Sequence, residues 1–242
     1  SAGNGFRMPD TTEPTPYETL TRSNILQRLK RRTVREAPER LNYGVIESKQ
    51  WEPRERARRV QELLTAVHTK VVECTERSFG KVFRGVVADQ GIQRLLVGSG
   101  SKLEAKLGSL KKRTPQMIPE LVPYAEPLEQ SKDLLFGIEA GITSVRSGIA
   151  ETGTLVVWPT PQEPRLLSLV PPLHLAVLYA STIHNTFLEA MTRECWSQAM
   201  PTNALLISGP SKTADIEQML VYGVHGPKQL VLFLIDDLRT KT

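Results

Sequence analysis

The chain has 242 residues, of which 40% are hydrophobic and 24% charged, with a net charge of +5. That balance excludes a collagen-like, low-complexity or disulfide-stapled protein and fits one sizeable globular domain, with or without an appended arm. No apolar run nears the roughly 20 residues of a membrane span, and the polar, Pro-rich start has no apolar signal core, so a cytoplasmic location is expected.

The two cysteines, Cys74 and Cys195, fall short of the thiolates that hold a cysteine-ligated iron–sulfur cluster, and they lack C-x-x-C spacing. They read as reduced thiols, and no cofactor is expected in this chain. Charge is uneven: residues 1–120 hold 23 Lys and Arg against 14 Asp and Glu, whereas residues 121–242 hold 8 against 12. The arginines alternate with glutamates, as in Glu52-Pro53-Arg54-Glu55-Arg56, and no aromatic residues stand between them for base stacking. A protein-docking or solvated face is therefore favoured over nucleic-acid binding.

Residues 1–16 are rich in Gly, Pro, Ser and Thr and are expected to be disordered or extended. Tyr17–Arg35 reads as a helix, with Leu20, Ile25 and Leu29 near helical spacing and Lys30-Arg31-Arg32 in its last turns. Pro53 suits a helix start, and Arg54–Thr75 reads as one long helix lined by Val60, Leu63, Leu64, Val67, Val71 and Val72. Residues 17–77 thus form a basic helical N-terminal arm, ahead of a main domain over 78–242. In that domain Val82–Asp89 reads as helix, Arg94–Gly98 as strand and Lys102–Leu110 as a helix capped by Ser101. Glu120–Tyr124 follows as strand and Leu128–Leu135 as helix. Ile138–Thr143, Thr154–Trp158 and Leu173–Tyr179 are apolar strands, and Ser181 or Thr182 caps a helix running to about Cys195. Ala204–Ile207 reads as strand, Thr213–Tyr222 as helix and Gln229–Ile235 as the last strand. This alternation, with strands apolar at nearly every position, predicts an α/β fold: an open, largely parallel sheet with helices on both faces.

Ligands of such sheets bind beyond the carboxyl ends of the strands. Three turns are expected there. Gly98–Ser101 lacks Walker spacing and reads as a plain strand–helix turn. Ser144–Gly153 brings Arg146, able to grip an anion with two parallel hydrogen bonds, together with Glu151, Thr152 and Gly153. Ser208–Thr213 brings Ser208, Gly209, Ser211, Lys212 and Thr213 to the start of the expected 213–222 helix, where free N–H groups and the helix dipole attract anions. Together these predict a site for a small anionic molecule. Glu151 has two readings: a catalytic carboxylate, or a turn carboxylate bonded to nearby backbone. Gly223, His225, Gly226 and Pro227 precede a strand, and a helix over 213–222 would hold them about 13 Å from Ser211, at the opposite sheet edge. A structural or subunit-contact role is expected for them. No His/Cys cluster has metal-ligand spacing, so no metal site is expected.

Three blocks carry a family likeness: GIAETGTLVV at 148–157, PPLHLAV at 171–177 and SGPSKTADIEQMLVYGVHGP at 208–227. In this order they resemble the lactate-utilization (LUD) domain family, in its short lactate-utilization protein C type. The resemblance implies a fold like that of NagB, RpiA and the CoA transferases. It also implies a role as accessory subunit of a system oxidising L-lactate to pyruvate, with the iron–sulfur clusters in partner proteins. Glu151-Thr152-Gly153 is similar to the turn carrying the nucleophilic glutamate of CoA transferases. The likeness thus leaves three functional readings: the lactate-oxidation subunit, an independent transferase or folate cyclo-ligase-like enzyme, and a regulatory metabolite-binding module.

Overall fold

A computed structural model of the chain describes residues 23–25, 27, 44–124, 137–214, 220–222 and 226–238. The chain divides into two units, 1–43 and 44–242. In the first, residues 23–25 and 27 are helical; the remainder of the expected Tyr17–Arg35 helix, the segment 1–16 and the Leu128–Leu135 helix lie outside the described residues.

The second unit is built on a six-stranded sheet in which every pairing is parallel. Its strands are β1 (Lys70–Cys74), β2 (Arg94–Gly98), β3 (Glu120–Tyr124), β4 (Ala140–Ser144), β7 (Leu173–Tyr179) and β12 (Gln229–Ile235). Their spatial order is β1-β12-β7-β4-β2-β3. A second, four-stranded sheet joins β5 (Ser147–Ile149), β6 (Thr154–Val157), β8 (Ile183–His184) and β9 (Leu205–Ile207) in the order β8-β5-β6-β9. The helices are α1 (Pro53–Ala66), α2 (Phe79–Asp89), α3 (Lys102–Arg113) and α4 (Phe187–Arg193).

Strand β12 shows why its sequence is apolar at successive positions. Val231, Phe233 and Ile235 enter one core with Phe79 and Phe83 of α2 and Leu103 and Leu107 of α3. Leu230, Leu232 and Leu234 enter another with Val60 and Leu64 of α1 and with Leu155 and Val157 of the small sheet. Both faces are covered, so alternation with polar residues would bury unpaired polar groups. The rings of Phe79 and Phe83 pack on Phe233 at centroid distances of 5.5 and 5.9 Å. Full burial of each is worth about 1.5–3 kcal/mol.

Four expectations are corrected. The helix from Arg54 ends at Ala66, not Thr75; His68 follows with φ 68°, and β1 pairs Val71 and Val72 with Leu232 and Phe233. The sheet thus draws an edge strand, and its covering helix α1, from the stretch assigned to the basic arm; β-branched Val71 and Val72 suit that half-buried strand. The helix expected from Ser181 starts at Phe187, where the Thr186 hydroxyl caps the Glu189 N–H at 3.1 Å, while Ile183 and His184 pair with Gly148 and Ile149. Strand β9 lies in the small sheet, antiparallel to β6. Finally, the helix expected over Thr213–Tyr222 is a hairpin: β10 (Lys212–Ala214) runs antiparallel to β11 (Leu220–Tyr222), with Thr213 opposite Val221. So short a helix is costly to nucleate, and the β-branched and aromatic residues at both ends prefer strand.

Candidate functional site

The small sheet spreads the predicted site residues over two ends. At one end Glu151 follows β5. Its backbone N–H donates to the Asn185 carbonyl at 2.9 Å, and its half-buried carboxylate pairs with the ammonium of Lys49. The Asn185 side chain ties this corner together: its oxygen accepts the Trp51 N–H at 2.7 Å and its amide donates to Glu189 at 2.7 Å. Beside Glu151 a row of hydroxyls crosses the strand ends, Thr152 to Thr154 at 2.7 Å and Thr154 to Ser208 at 2.7 Å.

Two glycines of the family blocks sit tight against α1 and the turn that follows it. Gly153 has φ 62°, and a Cβ there would lie 2.4 Å from the Leu63 Cβ. Gly209 has φ 142°, and its added Cβ would meet the Val67 side chain at 2.8 Å. Both positions combine left-handed backbone with close approach, which only glycine supplies without strain. Farther along, the Ser211 N–H donates to the Pro227 carbonyl at 2.9 Å, and Gly226 faces the Ser211 side chain. Gly226 and Pro227 therefore meet Ser211 instead of standing across the sheet from it. The rigid helix that was to separate them is a hairpin that folds back. The backbone of Lys212 and Thr213 lies in β10, whereas Gly223 and His225 fall outside the described residues.

Ser208, Gly209, Ser211, Gly226 and Pro227 line one cleft of about 190 Å³ with His174. His174 is the second residue of β7, and Leu230, also in the wall, is the second of β12. The cleft thus opens at the amino ends of the parallel strands, not beyond their carboxyl ends. His174 is fully buried; its Nε2 shares a hydrogen bond with the Thr143 hydroxyl at 2.8 Å, and burial holds its pKa down to about 4. At neutral pH it is an uncharged ring.

At the other end of the small sheet stands Arg146. Its N–H donates to the Val156 carbonyl at 2.9 Å, and its guanidinium lies 4.0 Å from the centre of the Trp158 ring. The Arg146 Nε pairs with Glu194, which also accepts from the Trp196 indole at 3.0 Å and meets His184 Nε2 at 3.2 Å. Burial pushes the Glu194 carboxyl up, but its polar neighbours, the Trp196 and Arg146 donors among them, outweigh it and leave it below the ordinary glutamate value. Arg146 and Glu151 sit beyond opposite ends of β5 and have different partners, so they do not converge on one ligand.

Lys49, Asn185, Thr154 and Glu194 carry much of this arrangement without a sequence signal that singles them out. Lys49 stands 102 residues before its partner in a segment that reads as connector. Among the described residues no group of three His, Cys, Asp or Glu side chains could hold a metal ion, and no helix is long and apolar enough to cross a membrane.

Comparison with known proteins bears on the same residues. The chain is 34% identical over 220 residues to the uncharacterized protein NMB1437 of Neisseria meningitidis serogroup B, covering 88% of this chain and 93% of that one. It is 28% identical over 178 residues to lactate utilization protein C of an Exiguobacterium species, covering 72% and 75%. The uncharacterized protein YkgG of Escherichia coli is 30% identical over 154 residues, covering 61% and 64%. The crystal structure of a DUF162 family protein from Deinococcus radiodurans superposes with a TM-score of 0.55 at 18% identity, covering 77% of this chain and 99% of that one, a likeness of fold. The model of the LUD domain matches residues 57–235, a span that runs from α1 to the end of β12 and contains both ends of the small sheet. With most of α1, both sheets and the motif cleft inside that span, the chain belongs to the LUD domain family.

Proposed function

We propose that the chain is an accessory component of a lactate-utilization system, acting with iron–sulfur partner proteins that oxidise L-lactate to pyruvate. In this reading the cleft at Ser208–Ser211 holds a small organic anion. The observation that carries it is convergence: the two ends of one family block, Ser208–Ser211 and Gly226–Pro227, line one cleft together with His174 from another. Its volume of about 190 Å³ is below the roughly 300–1,000 Å³ of drug-sized pockets, which suits a three-carbon acid better than a nucleotide. Serine hydroxyls and a neutral imidazole can hydrogen-bond a carboxylate and a hydroxyl or keto oxygen without titrating near pH 7. The names of several relatives, lactate utilization protein C, support the same assignment. Because the chain has two cysteines, one buried in the core, electron transfer through a cysteine-ligated cluster falls to the partners.

Deletion of the gene, with L-lactate as sole carbon source, tests the role. Loss of growth on lactate with normal growth on glucose is expected, together with recovery of cysteine-rich partners when the tagged chain is purified from lactate-grown cells. Undiminished growth in a strain without a second lactate-oxidising system contradicts it.

A further inference from the structure

The topology marks a second place for a ligand, apart from the motif cleft. Strands β2 and β4 are neighbours in the sheet, but the chain leaves β2 towards β3 on one side and β4 towards β7 on the other. Such a divergence opens a crevice beyond the carboxyl ends of the two strands, the usual ligand position in an open α/β sheet. A cavity of about 590 Å³ lies at this point, between the turn after β2 and the residues after β4. It is about three times the volume of the motif cleft and within the range of sites for nucleotide-sized molecules.

Its charges are divided in a telling way. The acids at the rim are already engaged. Glu163 accepts the Ser144 N–H at 2.8 Å and the Ser144 hydroxyl at 3.0 Å. Glu104 takes the Gly100 N–H at 2.7 Å, and Ser101 caps the Glu104 N–H at 3.0 Å, so the start of α3 has its own partners. The cations retain capacity. Lys102 is exposed and has no ion-pair partner among the described residues. Arg146 uses Nε for Glu194, and that bond leaves the Nη donors uncommitted, while stacking on Trp158 fixes the plane of the guanidinium. A guanidinium held in place from behind, facing a cavity that also has a lysine, is pre-organised for an anion.

We propose that this crevice is a second binding site, for an organic anion of nucleotide size whose phosphate or carboxylate is gripped by Arg146 and Lys102. The ligand differs from the small acid of the motif cleft, and the two sites lie at opposite edges of the parallel sheet.

Titration of the full chain, followed by Trp fluorescence and calorimetry, tests it with four probes: AMP, citrate, inorganic phosphate and adenosine. Saturable binding of AMP or of citrate is expected, and which of the two binds tells a phosphate ligand from a carboxylate one. Adenosine, which lacks the anion, should bind at least tenfold more weakly than AMP. Arg146→Ala should weaken the bound probe about tenfold or more, Lys102→Glu several-fold, and Ser208→Ala not at all. Lys102 is exposed, so its variant keeps the test valid if Arg146→Ala does not fold. Failure of both AMP and citrate to bind saturably overturns the proposal. So does adenosine binding as tightly as AMP, or affinity unchanged in the folded Arg146 and Lys102 variants. Because the motif cleft is untouched by these substitutions, growth on lactate reports separately on the role proposed above.

Discussion

The two crevices of this protein lie at opposite edges of one sheet and are built from different parts of the chain. The motif cleft gathers residues of two of the three family blocks, yet it opens at the amino ends of β7 and β12. The switch-point crevice lies where topology alone would place a ligand, yet Arg146 reaches it through the bridge from β4 into the small sheet. A family signature and a fold rule need not mark the same site. The small sheet makes both possible. It lies over the main sheet with Glu151, Thr154 and Ser208 at one end and Arg146 and Trp158 at the other.

The largest effects are expected at two tightly packed glycines, Gly98 and Gly153. A Cβ at Gly98 would lie 1.9 Å from the Gln162 carbonyl oxygen, a backbone atom that cannot swing away. Gly98→Ala should cost about 3 kcal/mol or more, with the damage centred on the switch-point crevice. Gly153→Ala meets Leu63 and an unfavourable φ together and should cost about 2–4 kcal/mol. Urea denaturation measures both, and a cost below 1 kcal/mol at either would show that its close packing relaxes easily.

Acid separates the edges next. His174 is neutral in the fold with a pKa near 4, against 6.5 when exposed, so the unfolded chain binds the extra proton between these values. Its contribution, on the order of 3 kcal/mol, is therefore present above pH 6.5 and is lost as pH falls towards 4. His174→Gln should flatten the stability profile over that window, and an unchanged slope would place the imidazole in a wetter setting. At the other end, Glu194 is half-buried beside Arg146 and His184. Glu194→Gln should cost about 1–3 kcal/mol by thermal denaturation, since it leaves a cation and an indole N–H with a weaker acceptor. The smallest effect is expected at Lys49. Its pair with Glu151 is partly exposed on both sides, so Lys49→Ala should cost about 0.2–1 kcal/mol. A larger loss would mean that the segment before α1 is held over Glu151 more firmly than one ion pair explains.

Legibility followed the range of the forces. Strands β2, β3, β7 and β12 and the Ser101 cap could be read directly, because continuous apolar runs and a local hydroxyl–amide bond are written into neighbouring residues. The boundary at Ala66 was hidden because Val67, Val71 and Val72 continue a helical stripe and equally suit an edge strand; pairing with β12, more than 150 residues away, decides between them. The 213–222 segment misled in the same way, since Thr-Ala-Asp-Ile-Glu resembles a helix start while its partner strand lies beyond it. Of the candidate site, Ser208, Gly209, Ser211, Gly226 and Pro227 were named from sequence and meet, Arg146 was named and stands elsewhere, and Lys49 could not be inferred because nothing local links it to Glu151.

Complementation of the deletion strain with a Ser208→Ala/Ser211→Ala variant tests the central claim most directly, with cell density on L-lactate as the readout. The wild-type chain should restore growth, and the double variant should fail on lactate while reaching the same protein level and leaving growth on glucose normal. Full restoration by the double variant would contradict the assignment of function to the motif cleft.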